Sequence, residues 1–213
     1  MNGNSKRQFS PALLRQPWVG AAIGVIGFGI AAISFVLDER AVAFVAAHRT
    51  PIWLRTMEII SRWGDWYSHV LAGLLMLAVA YLLHRRDWQR LLIAMLVACA
   101  VAGISARVLK VGAGRARPSV HAAAEWNGPQ LRSRYHAFPS GHTAASAAFF
   151  GVLAYRRWRM GVPLLLIPAV IGAARMYVAA HYMSDVVCAD LLGLICAFAV
   201  VRAMAERHWA REQ

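Results

Sequence analysis

The sequence predicts an all-α polytopic membrane protein: a six-transmembrane-helix bundle plus an interfacial amphipathic helix, in a single domain over residues 1–213. Hydrophobic residues make up 59% of the chain and charged residues only 15%, whereas soluble domains average about 45–50% and about 25%. Apolar runs approaching the about 20 residues that a spanning helix needs recur along the chain. Strand-like alternation never extends far enough to compete with them.

The predicted spans differ in length, and several carry a polar residue. They cover residues 18–37, 67–83, 91–109, 141–155, 162–180 and 185–203. The first has Gly20 and Gly24 at the spacing of closely packed membrane helices. Its apolar core is too long for a cleaved signal peptide, so we expect an uncleaved anchor. We expect Cys99, Cys188 and Cys196 to be small buried thiols.

The stretch 41–66 is too polar for a span and predicts an amphipathic helix lying at the membrane interface. Apolar and charged side chains recur on two different faces. Trp53, Met57 and Ile60 form one face, and Arg55, Glu58 and Arg62 form the other. Pro51 suits the first turn of this helix, with Thr50 before it as the cap.

The chain carries 23 Lys and Arg against 10 acidic residues, a net charge of +13. These basic residues are distributed between the apolar runs and are not clustered in one segment. That distribution argues against a nucleic-acid partner and favours basic cytoplasmic loops or bound anions. Basic residues are denser in the stretches that face the cytoplasm if both termini are inside. We therefore expect a multi-pass protein of the inner or plasma membrane with cytoplasmic termini. No obligate protein partner is evident.

Three polar segments fall at ends of predicted spans, and the alternating direction of the spans puts them at one membrane face, outside the cytoplasm. They are residues 110–118, 139–142 and 175–185. Lys110, Arg117 and Arg175 place positive charge at the edge of a low-dielectric medium, which is costly unless an anion pairs with it. Phosphate is the natural partner, because guanidinium groups match its oxygens.

The same segments contain two histidines with different chemical roles. His181 and Asp185 share a helix face if their helix begins early enough; the carboxylate then fixes the imidazole tautomer and leaves the other nitrogen free to attack. His142 can protonate a leaving oxygen as a general acid. Ser140 is a candidate helix N-cap, after which the amides of Gly141 and His142 suit an anion. Together these residues suit phosphoester cleavage without a metal.

These segments resemble the signature of the PAP2 family, the type 2 phosphatidic acid phosphatases related to vanadium haloperoxidases: KxxxxxxRP, then PSGH, then SRxxxxxHxxxD. The matching positions are Lys110, Arg117 and Pro118 in the first part, Pro139, Ser140, Gly141 and His142 in the second, and Arg175, His181 and Asp185 in the third. Ala174 stands where the family usually has Ser.

The resemblance implies a membrane hydrolase that removes phosphate from a lipid phosphate or diphosphate through a phosphohistidine, without a metal or other cofactor. It implies that His181 is the nucleophile, that Asp185 orients it and that His142 protonates the leaving group. The residues that would bind the phosphoryl oxygens are Lys110, Arg117, Ser140, Gly141 and Arg175.

The substrate stays open at the level of the sequence. Undecaprenyl diphosphate, phosphatidylglycerol phosphate, phosphatidate and a lipid A phosphate are all compatible with the motifs. Arg132 and Arg134, in the loop 119–137, favour a polyprenyl diphosphate by adding positive charge near the site, and the loop is a candidate lid. Phosphotransfer to another lipid and non-catalytic transport of an anion or lipid are the alternative functions.

Other polar residues in apolar surroundings are predicted to be structural. We expect Asp190 to make a structural polar contact within the sixth span. The remaining histidines are expected to be interfacial or solvated: His48, His69, His84 and His208.

Overall fold

The computed structural model describes residues 17–209, which form eight α-helices connected by short turns and one long loop. The helices are α1 (Pro17–Ala47), α2 (Pro51–Trp63), α3 (Trp66–Leu82), α4 (Arg86–Ala113), α5 (Gly141–Arg156), α6 (Trp158–Leu164), α7 (Leu166–Tyr177) and α8 (Met183–Trp209). The predicted all-α class is confirmed for this part of the chain, where an isolated bridge between Arg115 and Trp126 is the only β-type pairing.

Three stretches among the described residues are long and apolar enough to cross a membrane. They are Arg86–Ala113, Trp158–Tyr177 and Met183–Ala205. Helices α2 and α3 qualify only as a pair, bent by 53°, which raises the count to four. Length and composition therefore support a membrane protein but not the six spans predicted from the sequence. Helix α5, for example, has 16 residues, fewer than the about 20 of a typical span.

Helix α1 extends well beyond the first predicted span. It has 31 residues and ends at Ala47, where the apolar pattern predicts an end near residue 37. Asp38, which follows the apolar run, is 5% exposed within this helix. A buried carboxylate is tolerated there because it is paired with a cation from a distant segment, described below.

The stretch 41–66 is not one helix: α1 runs on to Ala47, α2 covers Pro51–Trp63 and α3 begins at Trp66, but α2 has the cap that the sequence predicts. The Thr50 hydroxyl accepts a hydrogen bond from the Trp53 amide at 3.4 Å, and Pro51 occupies the first turn of α2. Asp65 then caps α3, accepting from the Trp66 amide at 2.7 Å. The two caps fix where both helices begin, so the corner between α2 and α3 is tightly defined.

The fifth predicted span, residues 162–180, is broken into two helices. Helix α6 ends at Leu164 and α7 begins at Leu166. Pro168 explains the break, since a proline ring clashes with the carbonyl four residues earlier and offers no amide hydrogen.

Helix α5 lies at the centre of the bundle, packed against α4 and α8 through small side chains such as Ala144, Ala147 and Ala148. Gly193 on α8 approaches α5 so closely that a Cβ atom there would lie 2.5 Å from the Ala144 carbonyl oxygen. The Ser140 amide, just before α5, donates to the Asp185 carbonyl in the first turn of α8 at 3.0 Å, so the second and third motifs lie at the same end of the bundle.

Candidate active site

The loop between α4 and α5 folds back over the end of the bundle where the motifs meet. Gly114 ends α4 with φ 58°, and a Cβ atom there would lie 1.6 Å from the Gly128 carbonyl oxygen, so only glycine fits. The Asn127 amide donates to the Gly114 carbonyl at 3.1 Å, and the Ala137 amide donates to the Arg115 carbonyl at 3.0 Å. These bonds hold the segment from Arg115 onwards against the helix ends.

Arg115, with 1% of its surface exposed, is the centre of a buried ion-pair network with Asp38, Glu125 and Asp185, which is called the hub below. Its Nη1 donates to Asp185 Oδ1 at 2.5 Å and to Ser184 Oγ at 2.7 Å. Its Nη2 lies 2.6 Å from Asp38 Oδ2, and its Nε donates to Glu125 Oε1 at 2.6 Å. One guanidinium thus joins α1, the long loop and α8.

Sequence reasoning missed this hub, although one of its members carried a signal. Asp38 stands at the end of a long apolar run, and a carboxylate in such a place needs a cationic partner. The sequence does not say which of many cations supplies it, because Asp38 and Arg115 are 77 residues apart.

Asp185 connects the second and third motifs. Its Oδ2 accepts from the Tyr182 amide at 2.8 Å, and its backbone carbonyl accepts from the Ser140 amide at 3.0 Å. Its Oδ2 lies 3.6 Å from Nδ1 of His181. The carboxylate is close to the imidazole but is not its hydrogen-bond partner.

The hydrogen bond that fixes the His181 ring comes from the backbone. Helix α8 begins at Met183, so His181 precedes the helix and the two residues do not share a helix face. Instead, Nδ1 of His181 lies 2.6 Å from the Ala137 carbonyl oxygen. Because a carbonyl can only accept, Nδ1 carries the proton and Nε2 holds the lone pair.

Three buried nitrogen atoms at this site have no hydrogen-bond partner among the described residues. They are Nε2 of His181, Nε of Arg117 and Nε of Arg175. Burial lowers the pKa of His181 well below its ordinary value, and the cations Lys110, Arg175 and Arg117 lower it further. His181 is therefore a neutral imidazole surrounded by positive charge, an arrangement that suits an anion.

The three cations are placed by different elements. Lys110, near the end of α4, donates from Nζ to the His136 carbonyl at 3.2 Å, and a Cβ atom on Gly141 would lie 3.7 Å from the same Nζ. Lys110 is therefore a neighbour of the start of α5. Arg175, in the last turn of α7, donates from Nη1 to Ser61 Oγ at 2.7 Å.

Ser140 occupies the N-cap position of α5, but its hydroxyl makes no capping bond. The hydroxyl instead accepts from Thr143 Oγ1 at 3.0 Å, and both side chains are fully buried. The first amides of a helix have no intrahelical acceptor, so the start of α5 offers donors beside Lys110.

His142 lies nearer the surface than His181, with 22% of its side chain exposed. Its Nε2 is 3.6 Å from Asp65 Oδ1, at the corner between α2 and α3. Because the Ser140 amide is bonded to Asp185, both histidines lie at the same end of the bundle.

Arg134 is exposed in the short 3₁₀ turn Ser133–Tyr135, and Arg132 is exposed immediately before it. The Arg134 carbonyl accepts from the Arg117 amide at 3.0 Å, so this turn lies next to a site cation. The Arg134 guanidinium lies over the Tyr135 ring, 5.0 Å from its centroid.

Several other expectations are tested by burial. Cys99 and Cys196 are buried, whereas Cys188 and Asp190 are only partly buried. His69, expected to be interfacial or solvated, is 7% exposed, so that expectation is wrong. Of the other histidines in that group, His48 and His84 are exposed, and His208 lies outside the residues whose side chains are described.

Within residues 17–209, no group of three or more His, Cys, Asp or Glu is arranged to hold a metal ion.

Removing the guanidinium of Arg115 should destabilise the protein strongly. The substitution Arg115→Met leaves Asp38 and Asp185 buried without their cation, and breaking a buried ion pair in this way costs about 3–5 kcal/mol. Denaturant unfolding in mixed micelles measures the change. The exposed Arg134→Met serves as the matched control and should stay close to the parent protein. An equally small effect of Arg115→Met would contradict the importance of the hub.

Curated relatives match a limited stretch. The chain is 35% identical over 91 residues to a lipid A 1-phosphatase of Rhizobium johnstonii, covering 40% of this chain and 36% of that protein. It is 33% identical over 91 residues to a lipid A 1-phosphatase of Rhizobium etli, covering 40% of this chain and 38% of that protein. The match thus spans little more than a third of these relatives.

Two crystal structures share the fold over most of the chain. One is a transmembrane PAP2-type phosphatidylglycerolphosphate phosphatase from Bacillus subtilis, with a TM-score of 0.64, 21% identity, and coverage of 88% of this chain and 96% of that chain. The other is Aquifex aeolicus LpxE, with a TM-score of 0.56, 22% identity, and coverage of 78% and 95%. The family model described as "PAP2 superfamily" matches residues 91–209, which include all three motifs. The chain therefore belongs to the PAP2 superfamily.

Proposed function

We propose that this protein is an integral-membrane phosphatase that removes a phosphate group from a membrane lipid through a phosphohistidine formed on His181. The observation that carries the proposal is the buried, unpartnered Nε2 of His181 among Lys110, Arg117 and Arg175. A lone pair held among cations is suited to attack an electrophile that arrives as an anion. Membership in the PAP2 superfamily and the names of the relatives support the same reaction class.

The cations and the start of α5 would bind the phosphoryl group. Arg117 and Arg175 each have a buried Nε available for a phosphoryl oxygen. Lys110 lies beside Gly141, where the absence of a side chain lets a ligand reach the first amides of α5. Positive charge fixed in advance stabilises the negative charge that accumulates on the equatorial oxygens in the transition state.

The first half-reaction transfers the phosphoryl group to the enzyme. The lone pair of His181 Nε2 attacks phosphorus, the bond from phosphorus to the leaving oxygen breaks, and His142 donates its proton to that oxygen. The product imidazole is cationic, since Nδ1 keeps its proton. The Asp185 carboxylate, 3.6 Å from that nitrogen, stabilises this charge.

The second half-reaction releases phosphate. The neutral His142 takes a proton from a water molecule as the water oxygen attacks phosphorus, and the bond between phosphorus and Nε2 breaks. The electron pair of that bond returns to His181, and both histidines regain their starting protonation states.

The proposed substrate is a lipid that presents a phosphate or diphosphate outside the cytoplasm. The two relatives named lipid A 1-phosphatase make a lipid A phosphate the first candidate, beside undecaprenyl diphosphate, phosphatidylglycerol phosphate and phosphatidate. Arg132 and Arg134 are exposed, and the Arg134 carbonyl is bonded to the Arg117 amide, so both side chains are placed near the site, which suits contact with a second phosphate.

We further propose that all six predicted spans cross the membrane, that α2 lies at the interface and that both termini are cytoplasmic. In this arrangement the long loop and the site lie outside the cytoplasm, and the turn between α3 and α4 lies inside. The exposed charged residues Arg55, Glu58 and Arg62 of α2 support an interfacial position.

Cysteine labelling tests the orientation. In a background with the three native cysteines replaced, Ala123→Cys in the long loop should react with a membrane-impermeant maleimide in intact spheroplasts. The matched Asp87→Cys, at the start of α4, should react only after permeabilisation. The reverse pattern would overturn the proposed orientation.

A panel of lipid phosphates tests the activity. The detergent-solubilised protein should release phosphate from at least one of the four candidate lipids, and His181→Ala should abolish release, because no nucleophile remains. We expect His142→Ala to slow the reaction about 100-fold or more with binding less affected. If the substrate is a diphosphate, replacing Arg132 and Arg134 with Gln should weaken its preference over the monophosphate.

Controls separate the alternatives in the same panel. Radiolabelled phosphate that appears on an acceptor lipid, with little free phosphate, would identify a phosphotransferase. Wild-type rates in folded His181→Ala and His142→Ala proteins would contradict the proposed mechanism. Lipid or anion flux that survives His181→Ala without any phosphate release would favour a transporter.

A further inference from the structure

The corner between α2 and α3 contacts two residues of the proposed active site, although it lies far from every motif in the sequence. Ser61 accepts a hydrogen bond from Arg175, and the Asp65 carboxylate is 3.6 Å from His142. The sequence assigns this stretch to an interfacial helix and gives neither side chain a role. The corner therefore supplies one contact to a phosphate-binding cation and one to the general acid.

Asp65 is held firmly at this corner. Its Oδ1 caps α3 by accepting from the Trp66 amide at 2.7 Å, and its carbonyl lies 2.9 Å from His69 Nδ1. The other His69 nitrogen, Nε2, is 3.0 Å from Ser146 Oγ. Since Ser146 is one turn beyond His142 on α5, a second contact fixes the carboxylate relative to the helix that carries the general acid.

The charges around His142 explain why a carboxylate matters there. Lys110 lies beside the start of α5, where its charge opposes a positive charge on the His142 ring, whereas the Asp65 carboxylate, 3.6 Å from His142 Nε2, favours that charge. The proposed reaction requires the protonated ring, because only that form can donate a proton to the leaving oxygen. A carboxylate with 28% of its side chain exposed is screened only in part by solvent.

We propose that Asp65 is a positioning residue for His142, whose carboxylate beside the ring stabilises the imidazolium that acts as general acid. This inference rests on the proposed function. The carboxylate forms no bond to the substrate. It pairs with the imidazolium before the leaving-group bond breaks, and it remains ionised when His142 passes its proton to the departing oxygen.

The leaving group of the substrate gives a direct test. Two synthetic lipid phosphates carry the same alkyl chain, one attached through an alkoxide oxygen and one through a nitrophenolate oxygen. The alkoxide must be protonated as it leaves, whereas the nitrophenolate is stable without a proton. A residue that supports the general acid should therefore matter for the first ester and little for the second.

We expect Asp65→Asn to lower kcat/KM for the alkoxide ester by roughly 10–100-fold, as part of the contribution of general acid catalysis, and to change the nitrophenolate ester by less than about threefold. Asparagine caps helices as well as aspartate does, so α3 keeps its cap. His142→Ala should show the same selective loss. Ser61→Ala, which removes the bond to Arg175, should slow both esters by similar factors, and the exposed Glu58→Gln should change neither.

Equal losses of Asp65→Asn on both esters, or no loss on either, would overturn the inference while His181→Ala and His142→Ala still support the proposed function. Failure of the parent protein to hydrolyse either ester, or full activity of His181→Ala, would instead contradict the proposed function. An unfolding transition in detergent, measured for each variant, identifies any loss caused by misfolding. A destabilised Asp65→Asn that loses both esters equally counts against the inference.

Discussion

The buried guanidinium of Arg115 is the interaction on which this end of the molecule depends. It pairs with Asp38 of α1 and Asp185 of α8, and it also bonds Glu125 in the long loop. Burying one cation with several carboxylates is favourable only when each remaining lone pair is satisfied. Here the Ser184 amide donates to the second oxygen of Asp38, and the Tyr182 amide donates to the second oxygen of Asp185. Three segments distant in sequence are thereby fixed in one geometry.

The consequences reach His181 through the backbone. With Asp185 fixed, its carbonyl accepts from Ser140 and so seats the start of α5. The loop that contains Arg115 also provides the Ala137 carbonyl, which sets the tautomer of the His181 ring. The two histidines then differ in environment: His181 is 1% exposed, whereas 22% of the His142 side chain is exposed. The deeply buried neutral ring of His181 suits nucleophilic attack. The partly exposed ring of His142 suits proton exchange with water and with a leaving group.

The sequence predicts the local features well, because they depend on neighbouring residues. Apolar runs, the Thr50 cap and the order of the three motifs all follow from short-range patterns, and the motif residues do meet at one end of the bundle. The pairs formed across long distances were not predictable. Ser61 and Arg175 are 114 residues apart, and many cations compete as partners for Asp38. Whether His181 and Asp185 share a helix face depended on where the last helix begins, and it begins at Met183, after His181; helix starts follow caps and tertiary contacts more than periodicity.

The structure of the protein bound to vanadate, a mimic of the pentavalent transition state, tests the central claim most directly. The vanadium should lie within bonding distance of His181 Nε2, with its equatorial oxygens contacted by Lys110, Arg117 and Arg175. Vanadate bound elsewhere, for example in the 590 Å³ cavity lined by Phe35, Glu39 and Trp126, with His181 left free, would contradict it.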